Sequence, residues 1–264
     1  MTVTRREVLA LVAALPAFAK LEVLTAEVTT MFDSPGPKPN GLQATDDGLW
    51  ILDQGDNRAY LVDYSDGRVL RQLETETKAG SGITFDGSAL WTASTYSREI
   101  LKIDPQTGRT LARFDSPGSG VVAWTQSRRS PLAPPLKPTG TARQAPVRRN
   151  ATGAHGMEWR AGKLWVSVPP AQMIYRIDPE RFRIEKQFPT AGDRPHGLGW
   201  DGKWLWCVES NLNAVYRFDP ETGETSAKIQ LLDTDPLPHG MTIRDGWMWY
   251  CDDVGIVCRL RLKA

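Results

Sequence analysis

Short runs rich in tryptophan, isoleucine, valine and leucine alternate along most of the chain with turns bearing glycine, asparagine or aspartate, a pattern that predicts strands. The clearest copy begins at His196-Gly197-Leu198-Gly199-Trp200, a short strand closed by the hairpin turn Asp201-Gly202-Lys203. Trp204 to Val208 reads as a second strand, Val215 to Phe218 as a third and Thr225 to Leu231 as a fourth. The unit recurs. Gly41, Gly82, Gly156, Gly197 and Gly240 each open a copy, and Trp50, Trp91, Trp165, Trp206 and Trp249 follow in fixed register; both series advance by 41, 74, 41 and 43 residues. Four antiparallel strands in a repeat of this length make one blade of a β-propeller, so the expected fold class is all-β and the architecture a five-bladed β-propeller of four-stranded blades.

A propeller ring must close, because an open blade edge invites aggregation. The last copy stops after its third strand, at Leu260-Arg261-Leu262, and the segment Glu22 to Phe32 has the strand character to supply the fourth, joining the termini in one blade. The long interval places an insertion between Ser116 and Ala154. Gly120 to Trp124 imitates a first strand, so six blades with one degenerate is the alternative; five is favoured because no second-strand signature follows.

Composition adds little to the fold and more to the setting. The chain of 264 residues has 10 tryptophans, 23 glycines and 19 prolines, as a turn-rich strand protein should, and its net charge of +1 gives no reason to expect a nucleic-acid partner. Arg5-Arg6, the apolar run Val8 to Phe18 and Ala17-Phe18-Ala19 form an export signal over residues 1–19, of twin-arginine type, ahead of a single propeller domain over 20–264. A periplasmic or secreted protein is expected. The apolar run is too short for stable membrane insertion. Cys207, Cys251 and Cys258 show no metal-binding spacing and read as buried thiols, with a Cys251–Cys258 disulfide the alternative.

The candidate chemistry comes from aligning the repeats. The residue before each opening glycine forms one ring, Asn40, Ser81, His155, His196 and His239, which contains every histidine in the chain. The residue three beyond each register tryptophan forms a second: Asp53, Ser94, Val168, Glu209 and Asp252. Both rings belong to one face of a propeller, around the channel. His155, His196 and His239 are therefore candidate ligands of a divalent metal ion, in a three-imidazole site with an open position. Asp53, Glu209 and Asp252 are candidates to orient the imidazoles or act as general bases, and Asn40 and Ser81 to bind substrate. The insertion holds six basic residues, Arg128, Arg129, Lys137, Arg143, Arg148 and Arg149, and no acidic one. As a lid on the same face it would draw an anionic substrate, Arg128, Arg129, Arg148 and Arg149 contributing to capture. The bland readings are turn-capping carboxylates, imidazoles bonded to neighbouring backbone and a solvated basic loop.

His196-Gly197-Leu198, Asp201-Gly202, Leu205-Trp206, Glu209, Asn213 and Arg217 resemble one repeat of the streptogramin (virginiamycin B) lyase-like and YVTN-repeat propellers. The blade count and Gly82-Ile83-Thr84 are similar to plant-type glutaminyl cyclases. The resemblance implies a propeller fold and, through the lyases, a metal-dependent lyase or hydrolase. A second class stays open, the non-catalytic ligand- or protein-binding propeller. In both, the expected partner is a small molecule or another protein at one face, and the expected state a monomer.

Overall fold

The computed structural model describes residues 21–124, 126–135 and 151–261. Five antiparallel four-stranded sheets are arranged as blades around an axis, and the only helical element among the described residues is one 3-10 turn, Ser210–Leu212. Blade 1 comprises Pro39–Thr45, Gly48–Asp53, Arg58–Val62 and Val69–Glu74; blade 2 Gly80–Phe85, Leu90–Ser94, Glu99–Ile103 and Thr110–Asp115. Blade 3 comprises Gly156–Arg160, Lys163–Val168, Met173–Asp178 and Arg183–Pro189; blade 4 Pro195–Asp201, Trp204–Glu209, Ala214–Phe218 and Thr225–Gln230. Blade 5 is Met241–Arg244, Trp247–Asp252 and Ile256–Arg261, completed by Val28–Asp33 from the other end of the chain.

Each register tryptophan packs against the next blade. Trp50 lies with Ile83, Leu90 and Leu101, Trp91 with Met157 and Leu164, and Trp165 with Leu198 and Leu205. Trp206 meets Met241 and Met248, and Trp249 meets Leu42 and Leu49, which closes the ring on blade 1. The five rings are at most 4% exposed. Truncating one to alanine would cost about 3–5 kcal/mol, so five repeated tryptophans fix five inter-blade cores. Four of them also face a cation on the adjacent strand: Lys102, Arg176, Arg217 and Arg259 stand 5.1, 5.8, 5.8 and 5.5 Å from the rings of Trp91, Trp165, Trp206 and Trp249.

The opening glycines bring the innermost strands together. A Cβ on Gly41 would overlap the carbonyl oxygen of Ser81, and one on Gly156 that of His196. On Gly82 and Gly240 it would press on the carbonyls of His155 and Asn40, and on Gly197 on the Met241 amide. Only glycine lets these backbones approach so closely. That approach carries the residue before each glycine to the axis.

The amino-terminal segment differs from the expectation of one strand over Glu22 to Phe32. Glu22–Leu24 pairs in parallel with Ala227–Ile229 on the outer edge of blade 4, and Val28–Asp33 then pairs with Ile256–Arg261 in blade 5. Leu24, Ala26 and Val28 pack on the core between those blades, so the chain crosses their junction where it can bury apolar side chains on both sides. In the insertion, Gly120–Val121 and Ala151–Thr152 form a two-stranded ladder, not a sixth blade. The three cysteines are free and buried. Cys258 pairs in register with Tyr250, not Cys251, so the two thiols point to opposite faces of the sheet and cannot be bridged.

Candidate functional site

A cavity of about 310 Å³ sits on the axis at the face where the histidines emerge. All five blades contribute: Lys38, Asn40 and Gln54 from the first, Thr95 and Tyr96 from the second, His155, Arg194 with His196, and His239 with Asp253 from the others. Val122, Trp124, Ser127 and Thr152 of the insertion complete the wall.

The three imidazoles adjoin one another edge to face, with ring centroids 4.8 Å apart in both the His155–His196 and His196–His239 pairs. Nδ1 of His155 lies 3.1 Å from Nε2 of His196. Nδ1 of His196 faces the Arg194 carbonyl and the Ser210 hydroxyl, both at 3.1 Å, and that hydroxyl donates to the Pro238 carbonyl. Nε2 of His239 accepts from the Arg194 guanidinium at 3.0 Å, while its Nδ1 points at the Leu237 carbonyl at 3.4 Å. One atom is left over. Nε2 of His155 is buried without a hydrogen-bond partner.

Burial, reinforced by Arg194 and His239, pushes His155 down to about 3. Burial and Arg194 hold His239 at about 4, and burial with the two flanking histidines drives His196 well below the ordinary imidazole range. All three rings are therefore neutral at pH 7. Arg194 remains charged although burial lowers its pKa. Its guanidinium lies 5.9 Å from the ring of Trp124 and donates to the Arg128 carbonyl. Among the described residues no carboxylate lies within 4.0 Å of it. The cavity thus holds two cations, Lys38 and Arg194, against the single carboxylate of Asp253.

The second ring is engaged with loop backbone, as in the turn-capping reading of its carboxylates. Asp53 accepts from the Lys38 amide, Ser94 from that of Lys78, Glu209 from that of Arg194 and Asp252 from that of Leu237, at 2.6, 2.7, 3.3 and 2.8 Å. Each caps the loop entering its own blade, and none bonds an imidazole. Burial raises Asp53, pushes Glu209 up to about 8 and Asp252 up to about 6. Asn40 lines the cavity with its Oδ1 engaged by Ser81, which is buried beneath the wall. Arg128 pairs with Asp233 at 2.7 Å and Arg129 donates to the Pro134 carbonyl, so neither guanidinium lines the cavity. Lys137, Arg143, Arg148 and Arg149 lie outside the described residues.

His239, Asp252 and Asp253 bring one ligand atom each within 4.8 Å of one another and could hold a metal ion; the three imidazoles form no such group. In this arrangement Arg194 takes the lone pair of His239 that a metal would need, and Ser130 and Leu237 engage one oxygen of Asp252. The residues present do not fit a three-imidazole metal centre: the three imidazoles offer no converging set of ligand atoms, Nε2 of His196 is engaged by His155 and Nε2 of His239 by Arg194, and only Nε2 of His155 is left free.

Sequence alignment overlooked Arg194, Lys38 and Asp253, yet the repeat contains their signal. Strand residues alternate between faces, so the position after the capping ring turns to the axis: Gln54, Thr95, Pro169, Ser210 and Asp253. Three of these line the cavity, and Ser210 holds His196. Two residues before the histidine ring stand Lys38 and Arg194.

No family model and no curated protein matches the sequence. Among solved structures the chain is similar to the glutaminyl cyclase of Myxococcus xanthus, with a TM-score of 0.68 and 11% identity over 92% of this chain and 99% of that one. It is also similar to a streptogramin B lyase, with a TM-score of 0.52 and 17% identity over 90% and 98%. At these identities the likeness is one of fold, shared with propellers that are enzymes. It agrees with the group that the repeat motifs resemble.

Proposed function

We propose that the axial cavity is the active site of an exported lyase or hydrolase acting on a small anionic substrate, with Arg194 and Lys38 as anion anchors and His155 as proton acceptor. The observation that carries this reading is the Arg194 guanidinium, partly buried at the axis with no carboxylate of the described residues in salt-bridge contact and only Asp253 and Asp193 acting on it from farther off. A charge so placed, its attraction incompletely balanced, favours the arrival of an anion. Neutral His155, held down partly by Arg194, is a weak base in the free protein; a bound anion offsets that cation and lifts the imidazole toward the range useful for proton transfer. Trp124 and Ser127 cover the site, and the remaining basic residues of the insertion would raise the local concentration of anions. The Arg5-Arg6 pair and the apolar run after it support a periplasmic or secreted location.

No step in this reading passes through a metal. Binding of small carboxylates, lactate among them, is therefore expected to survive chelation, to weaken with ionic strength, and to fall at least tenfold in Arg194→Gln, since a hydrogen bond to a charged group contributes about 1.5–3 kcal/mol. Calorimetric titration reads all three. Equal binding by the variant, with its thermal melt unchanged, would rule the site out. Saturable binding without turnover of any lactone, amide or ester would leave a ligand-binding module in place of an enzyme.

A further inference from the structure

We infer that His196 is a positioning residue that locks the tautomer of His155, and that the lock selects ligands bearing an N–H or O–H donor as well as an anionic group. The second part rests on the anion-site reading above; the first does not.

The argument follows the protons. Nδ1 of His196 lies 3.1 Å from the Arg194 carbonyl, which can only accept, so this nitrogen carries the hydrogen. The Ser210 hydroxyl on the same nitrogen gives its own hydrogen to Pro238 and presents a lone pair, which agrees with that assignment. A neutral imidazole has one N–H, so Nε2 of His196 is an acceptor. It lies 3.1 Å from Nδ1 of His155, which must then be the donor. Nε2 of His155 is left as a bare lone pair, and it is the buried ring nitrogen without a partner. His239 obeys the same rule through a separate contact: the guanidinium of Arg194 can only donate, so Nε2 of His239 accepts and Nδ1 holds the hydrogen toward Leu237.

The chain of assignments begins at a backbone carbonyl that the blade fold fixes, so the tautomer of His155 is set by the architecture before any ligand arrives. A buried acceptor left unpaired is a penalty that the ligand-free state carries. His155 lines the cavity, but its Nε2 has almost no open surface in the ligand-free structure, so only a ligand that enters beside the ring reaches it; one that brings a donor satisfies that nitrogen, whereas a carbonyl or ether oxygen at the same place would meet a second lone pair. The cavity therefore suits a hydroxy- or amino-carboxylate better than a plain one.

Nitrogen-15 NMR of the histidine side chains in the full chain tests the lock without reference to activity. The ligand-free protein should show His155 protonated at Nδ1 and bare at Nε2. His196→Phe keeps an aromatic ring and removes the acceptor, and should release His155 into the Nε2–H form or a mixture. His196→Gln offers an amide oxygen and should restore the Nδ1–H form. An Nε2–H tautomer in the parent protein, or an unchanged tautomer in a folded His196→Phe, overturns the lock. For the ligand class the probes are lactate and propionate, matched in charge and differing in one hydroxyl. Lactate should bind about tenfold more tightly, with a shift of the His155 Nε2 signal that propionate does not produce. Equal affinities overturn the donor preference. Binding of neither overturns it together with the anion-site reading, while the tautomer result stands on its own.

Discussion

Glycine and histidine occupy neighbouring positions at each of three blade mouths, and the pairing has one cause. The glycine lets two innermost strands touch, and the residue before it is thereby delivered to the axis with its side chain facing those of the adjacent blades. Gly197→Ala would force a methyl group into the Met241 backbone and is expected to cost about 3 kcal/mol. Gly162, unlike Gly197, has a positive φ, and nothing lies within 4 Å of its missing Cβ, so Gly162→Ala should cost about 1 kcal/mol, the conformational penalty alone. Denaturant melts of the two variants measure the contrast. Equal costs would mean that strand contact at the axis is not what requires glycine.

At the scale of the element, the segment before blade 1 does two jobs. Glu22–Leu24 covers the outer edge of blade 4, and Val28–Asp33 supplies the strand that ties blade 5 to the start of the chain. The second job matters more, because Phe32 belongs to the core between blades 5 and 1 with Trp249, Leu42 and Leu49. A chain beginning at Val28 should fold with a modestly lowered melting temperature. One beginning at Ser34 should lose the cooperative transition, since removing Phe32 alone costs about 3–5 kcal/mol and the edge of Ile256–Arg261 is left open. Calorimetry of the two truncations decides it; equal transitions would show that the ring does not depend on this closure.

Across the whole molecule, buried ionisable groups set a dependence of stability on pH. Glu158 and Glu209, pushed up to about 8 from 4.5 by burial, hold protons in the folded state that the unfolded chain has released. Their contribution therefore falls as pH rises through that window. His155 and His239, lowered from 6.5 to about 3 and about 4, act in the opposite sense: the unfolded chain binds protons that the folded one refuses, and stability falls as pH drops below 6.5. The two effects oppose each other at mildly acidic pH. Between pH 6.5 and 8 only the glutamates act, so stability should decline there. Glu158→Gln removes one of the two and should flatten the decline, as guanidinium melts at pH 6.5 and 8.5 would show. An unaltered slope would mean that Glu158 ionises freely in the fold.

Periodicity in the sequence was enough for the blades, for favouring five of them over six, for a closing role of the amino-terminal segment though not its split into two strands, and for the gathering of Asn40, Ser81, His155, His196 and His239 on one face. Each of these follows from periodicity, because residues at equal repeat positions occupy equal places around an axis. Tertiary structure alone decided what the gathered groups do. Whether Asp252 or Asp253 faces the cavity depends on strand pairing at the blade mouth, where a one-residue shift exchanges the two faces of a strand. Asp53, Glu209 and Asp252 cap amides of loops about fifteen residues away in the chain, contacts that no repeat alignment contains. Arg194 became the centre of the site for the same reason. Its sequence neighbours are ordinary loop residues, and its charge acquires meaning only where blade 4, His239 of blade 5 and Trp124 of the insertion close in on it.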